Sequence, residues 1–357
     1  MKYKLRNFVE AVSETEPSPQ NSQFDRFVGL EHYDSGEIEI TRYTDTSLLS
    51  SSVKIFRAND ILIARRNVYL KRAGIVFFDG LTSGDSIILR VLKDCERGTG
   101  VPYSDALRWL PLILNSSAFW AYANKHADGM NSKRISKEML LDYEFSAPSI
   151  ETIRSIADKV WSAHSLKKRY RKLLDLTDEM VKSRFIEDFY DKGYPSLSLN
   201  SFAKIVTGST PSRSINEYWF NGSHPWVSAQ DMGEKFVDST AEFITDSGMA
   251  TCKLIPAGSL LYVCRGSIGV MSINRIDCAT NQSICSAIPD SSICKTEYLY
   301  YWLLYHEGEI TSLGEGTSFK SLSQKTFASL EIQLPPIKKQ LHFITLTQQA
   351  DKSKLLN

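Results

Sequence analysis

The sequence predicts an α+β protein: two α+β modules joined by a long helix that packs antiparallel on a shorter C-terminal helix. Three observations lead there. Ser149 to Tyr190 holds no Pro and no Gly. Strand-like runs followed by helix-like runs stand on both sides of it. The two flanks also share a repeated string, which makes the chain a tandem duplication of module plus helix. The expected divisions are 1–148 for the first module, 149–192 for the helix, 193–336 for the second module and 337–357 for the C-terminal helix.

In chain order, residues 11–23 (AVSETEPSPQNSQ) are polar, with two prolines, and read as a loop. The first core is expected to begin with Phe24 to Leu30. Glu37 to Tyr43, Lys54 to Ala64, Ala73 to Phe78 and Ser86 to Leu92 follow as short β-branched and aromatic runs bounded by Gly, Asp, Asn or Ser, the pattern of a mostly antiparallel β module. Tyr103 to His126 then takes up helical spacing through Leu107, Leu110, Leu114 and Trp120.

The long helix is punctuated by Pro148 before it and by Gly193 and Pro195 after it. Its apolar residues recur three and four apart: Ile150, Ile153, Ala157 and Val160, then Leu166, Tyr170, Leu173, Met180 and Phe185, with Leu174 and Val181 beside them. That is a seam, so a partner is expected along its length. At 1.5 Å per residue the helix spans on the order of 60 Å, which suits a spacer between two globular parts.

In the second flank, Phe202 to Val206 precedes a turn at Gly208 and Pro211, and Trp219 and Trp226 bring large apolar surface beside Pro225. Leu254 to Val263, Ile268 to Ile273 and Ile284 to Ile288 read as strands, and Tyr298 to Tyr305 as a short aromatic helix. The repeat is clearest where GMNSKRISKEMLLDYEFSAPSI, Gly129 to Ile150, aligns without a gap on GTSFKSLSQKTFASLEIQLPPI, Gly316 to Ile337. Ile61 to Arg66 likewise aligns with Leu260 to Arg265, and Ser83-Gly84-Asp85-Ser86 with Thr280-Asn281-Gln282-Ser283. From Ile337 the apolar spacing of the long helix starts again through Leu341 and Ile344, then stops after about half its length.

Composition excludes several classes. A chain of 357 residues, 42% hydrophobic, is long enough for two cores. No apolar run reaches membrane-spanning length, and the first residues lack the apolar centre of a signal peptide, so a soluble, cytoplasmic protein is expected. Six cysteines (Cys95, Cys252, Cys264, Cys278, Cys285 and Cys294) form no Cys-x-x-Cys pair. They sit in strand-like apolar contexts and read as reduced, buried thiols, not as a metal site. Neither P-loop, HExxH nor GxSxG occurs, and no glycine-rich methyl-donor motif follows a strand, so neither catalysis nor a cofactor is expected. His224, beside Pro225 and Trp226, has no paired carboxylate close by in sequence. A net charge of +1 leaves any nucleic-acid contact to local patches.

The order of these strings resembles the DNA-specificity subunits of type I restriction-modification systems, over nearly the whole chain. Gly208-Ser209-Thr210-Pro211-Ser212, Tyr218-Trp219, Pro225-Trp226-Val227 and Asp231 are similar to the opening of that family's target recognition domain. Val28-Gly29-Leu30-Glu31-His32, Asp60-Ile61-Leu62, Arg65-Arg66, Asp79-Gly80 and Ser83-Gly84-Asp85 resemble a second variant. Lys182-Ser183-Arg184-Phe185 fits the end of the family's spacer helix. The resemblance implies two target recognition domains that each read half of a split DNA target, helices that fix the unread spacer and bind methyltransferase subunits, motor endonuclease subunits joining that complex, and no catalysis by this chain. Two other classes stay open: the recognition portion of a fused restriction enzyme, and a scaffold that has lost DNA binding.

Base edges are read by Arg, Lys, Asn and Gln, and phosphates are held by Lys, Arg, Ser and Thr. The candidates in the first module are Arg65, Arg66, Lys71, Arg72, Lys133 and Arg134. Between Ile61 and Phe78 no acid occurs, and bases bracket Tyr69; a solvated hairpin would look the same. In the second module they are Arg265, Ser267, Asn281, Gln282, Ser318 and Lys320, although Asn281 and Gln282 also suit a turn cap, and Lys133 and Lys320 a solvated surface. The helix adds Lys168, Arg169 and Lys172 from the run KKRYRK, which has no acid between Lys159 and Leu174 and is expected to face DNA or a methyltransferase.

Overall fold

The computed structural model describes residues 2–47, 49–129, 132–314 and 321–355, the last three as backbone. It divides into two compact units, Met1–Arg169 and Tyr170–Asn357, the division falling inside the long helix.

The first unit opens with β1 (Lys2–Lys4), β2 (Val9–Val12), β3 (Thr15–Glu16), β4 (Phe27–Val28) and β5 (Val53–Phe56). Next come β6 (Ile61–Ala64), β7 (Ala73–Ile75), β8 (Gly80–Thr82) and β9 (Ser86–Val91). Helices α1 (Cys95–Thr99), α2 (Tyr103–Ile113), α3 (Ser117–Lys125) and α4 (Lys137–Leu141) precede β10 (Glu144–Ser146) and the long α5 (Ile150–Phe189). Two four-stranded sheets result, ordered β2-β9-β6-β7 and β3-β5-β8-β4. Side chains alternate across a strand, and the first sheet is covered on both faces, which is why β6 reads as an unbroken apolar run. Ile61 and Ile63 join Trp109, Leu110 and Phe119 under the helices. Leu62 and Ala64 join Val28, Phe56 and Val76 against the second sheet.

The expected run Lys54 to Ala64 is two strands in different sheets. Asn59 takes a φ of 72° between them, and the buried Asp60 carboxylate fixes the turn by accepting from the Arg57 amide at 2.8 Å and from both arms of Arg90 at 2.8 and 2.7 Å. Glu37 to Tyr43 forms no strand; Glu39 alone bridges to Ile75. Its alternating side chains are taken up otherwise, Arg42 by Asp34 and the Glu31 carbonyl, and Glu37 and Glu39 by α5. Residues 11–23, expected as a loop, supply the end of β2 and all of β3, and the core begins earlier, at Leu5 and Phe8. Tyr103 to His126 is two helices, because Ser116 caps a new one by accepting from the Phe119 amide.

The second unit repeats the plan. Its strands are β11 (Ser196–Ser198), β12 (Ala203–Thr207), β13 (His224–Val227), β14 (Phe236–Val237), β15 (Glu242–Ile244), β16 (Leu260–Val263), β17 (Met271–Asn274), β18 (Ala279–Thr280) and β19 (Ile284–Pro289). Two short helices lie among them, α6 (Leu199–Phe202) and α7 (Asp246–Met249). After them come α8 (Thr296–Tyr305), α9 (Glu307–Ser312), α10 (Gln324–Ala328), β20 (Glu331–Gln333) and α11 (Ile337–Leu355). The sheets are ordered β12-β19-β16-β17-β14 and β15-β13-β18.

The duplication holds bond by bond. β1 pairs with β10 and β11 with β20, both antiparallel over three residues. Leu5 donates to the Tyr143 carbonyl and Leu199 to that of Leu330, each at 2.9 Å. The strings LRNFVEAV and LNSFAKIV, at Leu5 and Leu199, begin the two modules; their likeness extends the repeat to the start of each.

The first half of α5 is built into the first unit. Ile153 and Ala157 are buried, Arg154 pairs with Asp105 at 2.9 Å, and Trp161 donates to the Arg108 carbonyl at 2.8 Å. Its last third belongs to the second unit, where Val181, Phe185 and Phe189 enter the main core with Phe343 of α11. The two helices run antiparallel there. Phe189 lies near Tyr194, whose hydroxyl meets Lys339 early in α11, while Asp178 and Lys182 share a cleft with Asp351 late in it. Lys235 fastens that end, with Asp351 at 2.8 Å and Glu297 at 3.1 Å. Burial favours its neutral amine, yet Tyr301, Asp351 and Glu297 hold it well above the ordinary lysine value. The middle of the expected seam is not covered: Leu166, Leu173, Leu174 and Met180 are exposed. A helix of 19 residues reaches only about 28 Å, too short to follow a 40-residue partner.

Phe185 stacks on or edges against Phe189, Tyr298, Tyr305 and Phe343. Phe185→Ala should therefore cost about 3–5 kcal/mol of unfolding free energy, measured by urea denaturation with far-ultraviolet dichroism.

Candidate nucleic-acid interface

In both modules the loop after a central strand is tied to the segment before a short helix. Arg66 and Arg134 form an isolated antiparallel bridge, and so do Arg265 and Ser321. Beside these, Ile135 donates to the Arg65 carbonyl at 3.0 Å and Leu322 to the Cys264 carbonyl at 2.8 Å. These residues occupy equivalent repeat positions, so one backbone frame presents Arg66 and Arg134 in one module and Arg265 and Ser321 in the other.

The first frame gathers most of the expected cations. Arg66 is exposed, donates through Nε to Ser132 at 2.9 Å and stands 3.5 Å from Asp85. Arg134, also exposed, is 3.9 Å from the same carboxylate. Lys133 projects outward while its carbonyl accepts from the Asn67 amide at 2.8 Å. Arg72 is turned inward, donating to the carbonyls of Leu30 at 3.0 Å and Arg66 at 3.2 Å, and so braces the loop. Lys71 is exposed at a left-handed φ of 52°. Arg65 is half-buried, and its guanidinium makes no hydrogen bond or ion pair among the described residues.

The second frame is more polar. Arg265 and Ser267 are exposed. Asn281 caps its own turn by accepting from the Ser283 amide at 3.0 Å, and Gln282, exposed, accepts from the Thr210 hydroxyl. Ser318 and Lys320 lie outside the described residues. Gly208 is required at this turn, because a Cβ would overlap the Thr280 and Asn281 backbone. Sequence reasoning missed Arg213. Its guanidinium lies 3.6 Å from the Trp219 ring centre, Trp219 packs edge-on to Trp226 at 5.1 Å, and Glu242 accepts from it. Two residues past Pro211 and six before Trp219, an arginine stacked on an aromatic was a legible possibility. His224 does meet a carboxylate, Asp246 at 2.6 Å, contributed from beyond the next strand.

The helix cations differ in setting. Lys168 pairs with Glu39 at 2.8 Å and Lys167 with Glu37 at 2.6 Å, while His164 stands 2.9 Å from Glu39. The acids absent from the helix itself thus come from a segment more than a hundred residues away. Arg169 and Lys172 are exposed. Among the described residues, no cluster of His, Cys, Asp or Glu could hold a metal ion, and no helix is long and apolar enough to cross a membrane. The cysteines are free, five buried and Cys252 half-buried; burial pushes Cys278 up to about 11 and Cys294 up to about 12.

Burial pushes the Glu39 carboxyl up, but hydrogen bonds and charge from Lys168 and His164 outweigh it and hold the group below its ordinary value of 4.5. A lowered carboxylate contributes stability that is complete above the unfolded value and fades as pH falls through the folded one. Glu39→Gln should accordingly lower the melting temperature at pH 7, and the gap from wild type should close as pH drops below 4.5. A gap independent of pH between 7 and 3.5 would contradict the ion-paired assignment.

Comparison with known proteins follows the same lines. Residues 192–356 match the family described as type I restriction modification DNA specificity domain. The chain is 32% identical over 162 residues to the type I restriction enzyme EcoR124I/EcoR124II specificity subunit of Escherichia coli, a match covering 43% of this chain and 40% of that protein. It is 27% identical over 186 residues to the MjaIX specificity subunit of Methanocaldococcus jannaschii, covering 48% and 43%. These matches thus span less than half the length of the curated relatives. The fold is shared with the type I restriction-modification S subunit from M. genitalium, at a TM-score of 0.59 and 12% identity over 99% of this chain and 91% of that one. It is shared too with a chain from a structure of the type I R-M system, at 0.56 and 18% identity over 100% and 92%. The second module and the helix after it thus match the type I restriction modification DNA specificity domain, and the chain as a whole shares its duplicated fold with type I restriction-modification S subunits.

Proposed function

We propose that this chain reads DNA for a type I restriction-modification complex in the cytoplasm. Each module reads one half of a bipartite double-stranded target, divided as 1–148 and 193–336. The helices at 149–192 and 337–357 set the unread spacer and dock the methyltransferase subunits. Motor endonuclease subunits join through that complex, and methyl transfer and cleavage belong to the partners, not to this chain.

The observation that carries this reading is the pair of equivalent ties, Arg66 with Arg134 and Arg265 with Ser321. An asymmetric target needs two readers that share a frame and differ in the side chains the frame presents, and this arrangement supplies both. Direct readout asks for Arg, Asn and Gln near base edges, and phosphate contacts ask for Lys, Arg and hydroxyls. Arg66, Lys133 and Arg134 on one frame, and Arg265, Ser267 and Gln282 on the other, are exposed and of those types. Leu173, Leu174, Leu176 and Met180, exposed along α5, support the docking of a partner subunit on that helix.

Module exchange tests the assignment. Replacing residues 2–146 with the equivalent module of a homologue, co-expressed with the methyltransferase, should change one half of the methylated motif and leave the other half and the spacer as they were. Genome-wide methylation mapping reads the outcome. A swap that altered both halves together would overturn the division of labour, and wild-type chain that directs no methylation at a split motif would overturn the function.

A further inference from the structure

Behind the first module's basic loop lies a cleft of about 250 Å³, lined by Ala11, Val12, Lys54, Arg65, Lys137 and Glu138 among others. It brings together three cations far apart in sequence, one from the second sheet, one from the end of β6 and one from the start of α4. We propose that Lys54, Arg65 and Lys137 form a pocket for one phosphate group, which in the DNA-reading role proposed above is a backbone phosphate of the bound duplex. The proposal rests on that role for the identity of the ligand, not for the pocket.

Three features carry it. Among the described residues the Arg65 guanidinium makes no hydrogen bond or ion pair, and its Nε is shielded from solvent with its hydrogen-bonding capacity unused. A guanidinium left so is costly unless something else binds it, and phosphate is the oxyanion whose geometry its fork matches. The local charge is also unbalanced. Asp85, the nearest acid on the loop, is engaged by Arg66 and Arg134, and Glu138 stands only 3.9 Å from Lys137, its own neighbour in sequence. Finally, burial and then the Arg65 charge pull the Lys54 ammonium below the ordinary lysine value, a strain that an anion in the cleft would relieve. Lys54 is already oriented, donating to the carbonyls of Ser86 at 2.7 Å and Gly84 at 3.1 Å.

The repeat shows that the pocket is not a by-product of the fold. In the second module the position of Arg65 is Cys264, a buried thiol against Cys285, and the position of Lys137 is Gln324. The frame is common to both modules, and these two cations are particular to the first. Its location suits a backbone contact, since the Arg65 carbonyl accepts from Ile135 and so ties the cleft to the segment bearing Lys133 and Arg134.

The test uses the full chain with its methyltransferase partner. Duplex binding is followed by fluorescence anisotropy across a salt series, on two duplexes of unrelated sequence, for wild type, Lys137→Gln, Arg65→Gln and Arg65→Lys. Lys137 is exposed and lies outside every core, so its substitution leaves folding unaffected. The expected result is a several-fold loss of affinity, equal on both duplexes, for Lys137→Gln and Arg65→Gln. The slope of log affinity on log salt should become shallower by about 0.9 for each phosphate no longer neutralised, with partial recovery in Arg65→Lys. Unchanged affinity and slope in both Gln variants would overturn the pocket while leaving DNA reading intact. If wild type bound no duplex, the DNA role would fail instead, and calorimetric titration with inorganic phosphate would decide the pocket alone: binding abolished in the two Gln variants sustains it, and no binding by wild type overturns it.

Discussion

Each module is closed by a three-residue antiparallel ladder that joins its first strand to its last, Lys2–Lys4 with Glu144–Ser146 and Ser196–Ser198 with Glu331–Gln333. Much else depends on that closure. It places Leu5 and Leu199 at the base of their cores, and it delivers the chain to the start of a helix, α5 or α11, at the same point of each module. It also holds the segment just before it, Ser132 to Ile135 or Ser321 to Leu322, where it can tie back onto the loop after β6 or β16. The candidate DNA-facing side chains are displayed by that tie. A module whose ends drifted apart would lose its loop geometry before it lost its sheets.

Much of this was legible in the sequence, and the parts that were not share a physical cause. The long helix announced itself because nothing in it breaks a helix and prolines and glycine stand at its borders, and Ile150–Phe189 lies one residue inside the Pro- and Gly-free stretch Ser149 to Tyr190 at each end. The central strands β6 and β16 were legible because strands buried on both faces are mostly apolar. Glu37 to Tyr43 misled, since its alternation yields a single bridge, Glu39 to Ile75, and its charged side chains serve α5 and the loop. The KKRYRK run looked unopposed because its acids, Glu37 and Glu39, are brought to it by tertiary folding. Lys54 and Lys137 were passed over because their approach to Arg65 exists only once the fold assembles the cleft.

The two frames also show how one backbone supports different chemistry. At the tie, Arg66 and Arg134 give way to Arg265 and Ser321. One residue earlier on the strand an unpartnered guanidinium gives way to a buried thiol. The backbone bonds beside these positions are nearly the same in length, 3.0 and 2.8 Å, so exchanging the side chains leaves the frame undisturbed. Because the display loops lie outside the main cores, changes there cost little stability, as surface substitutions generally do. Divergence of the displayed side chains is thereby separated from preservation of the fold.

On this account α5 carries distance and the modules carry recognition, and one measurement separates the two most directly. Four residues of strong helix propensity inserted after Leu174, where the apolar side chains are exposed, lengthen the helix by about 6 Å and turn it by only about a tenth of a turn beyond a full one. Methylation mapping of cells carrying that variant with its methyltransferase should find both half-sites unchanged and the spacer longer by about two base pairs. Altered bases in either half, or an unchanged spacer, would contradict the account.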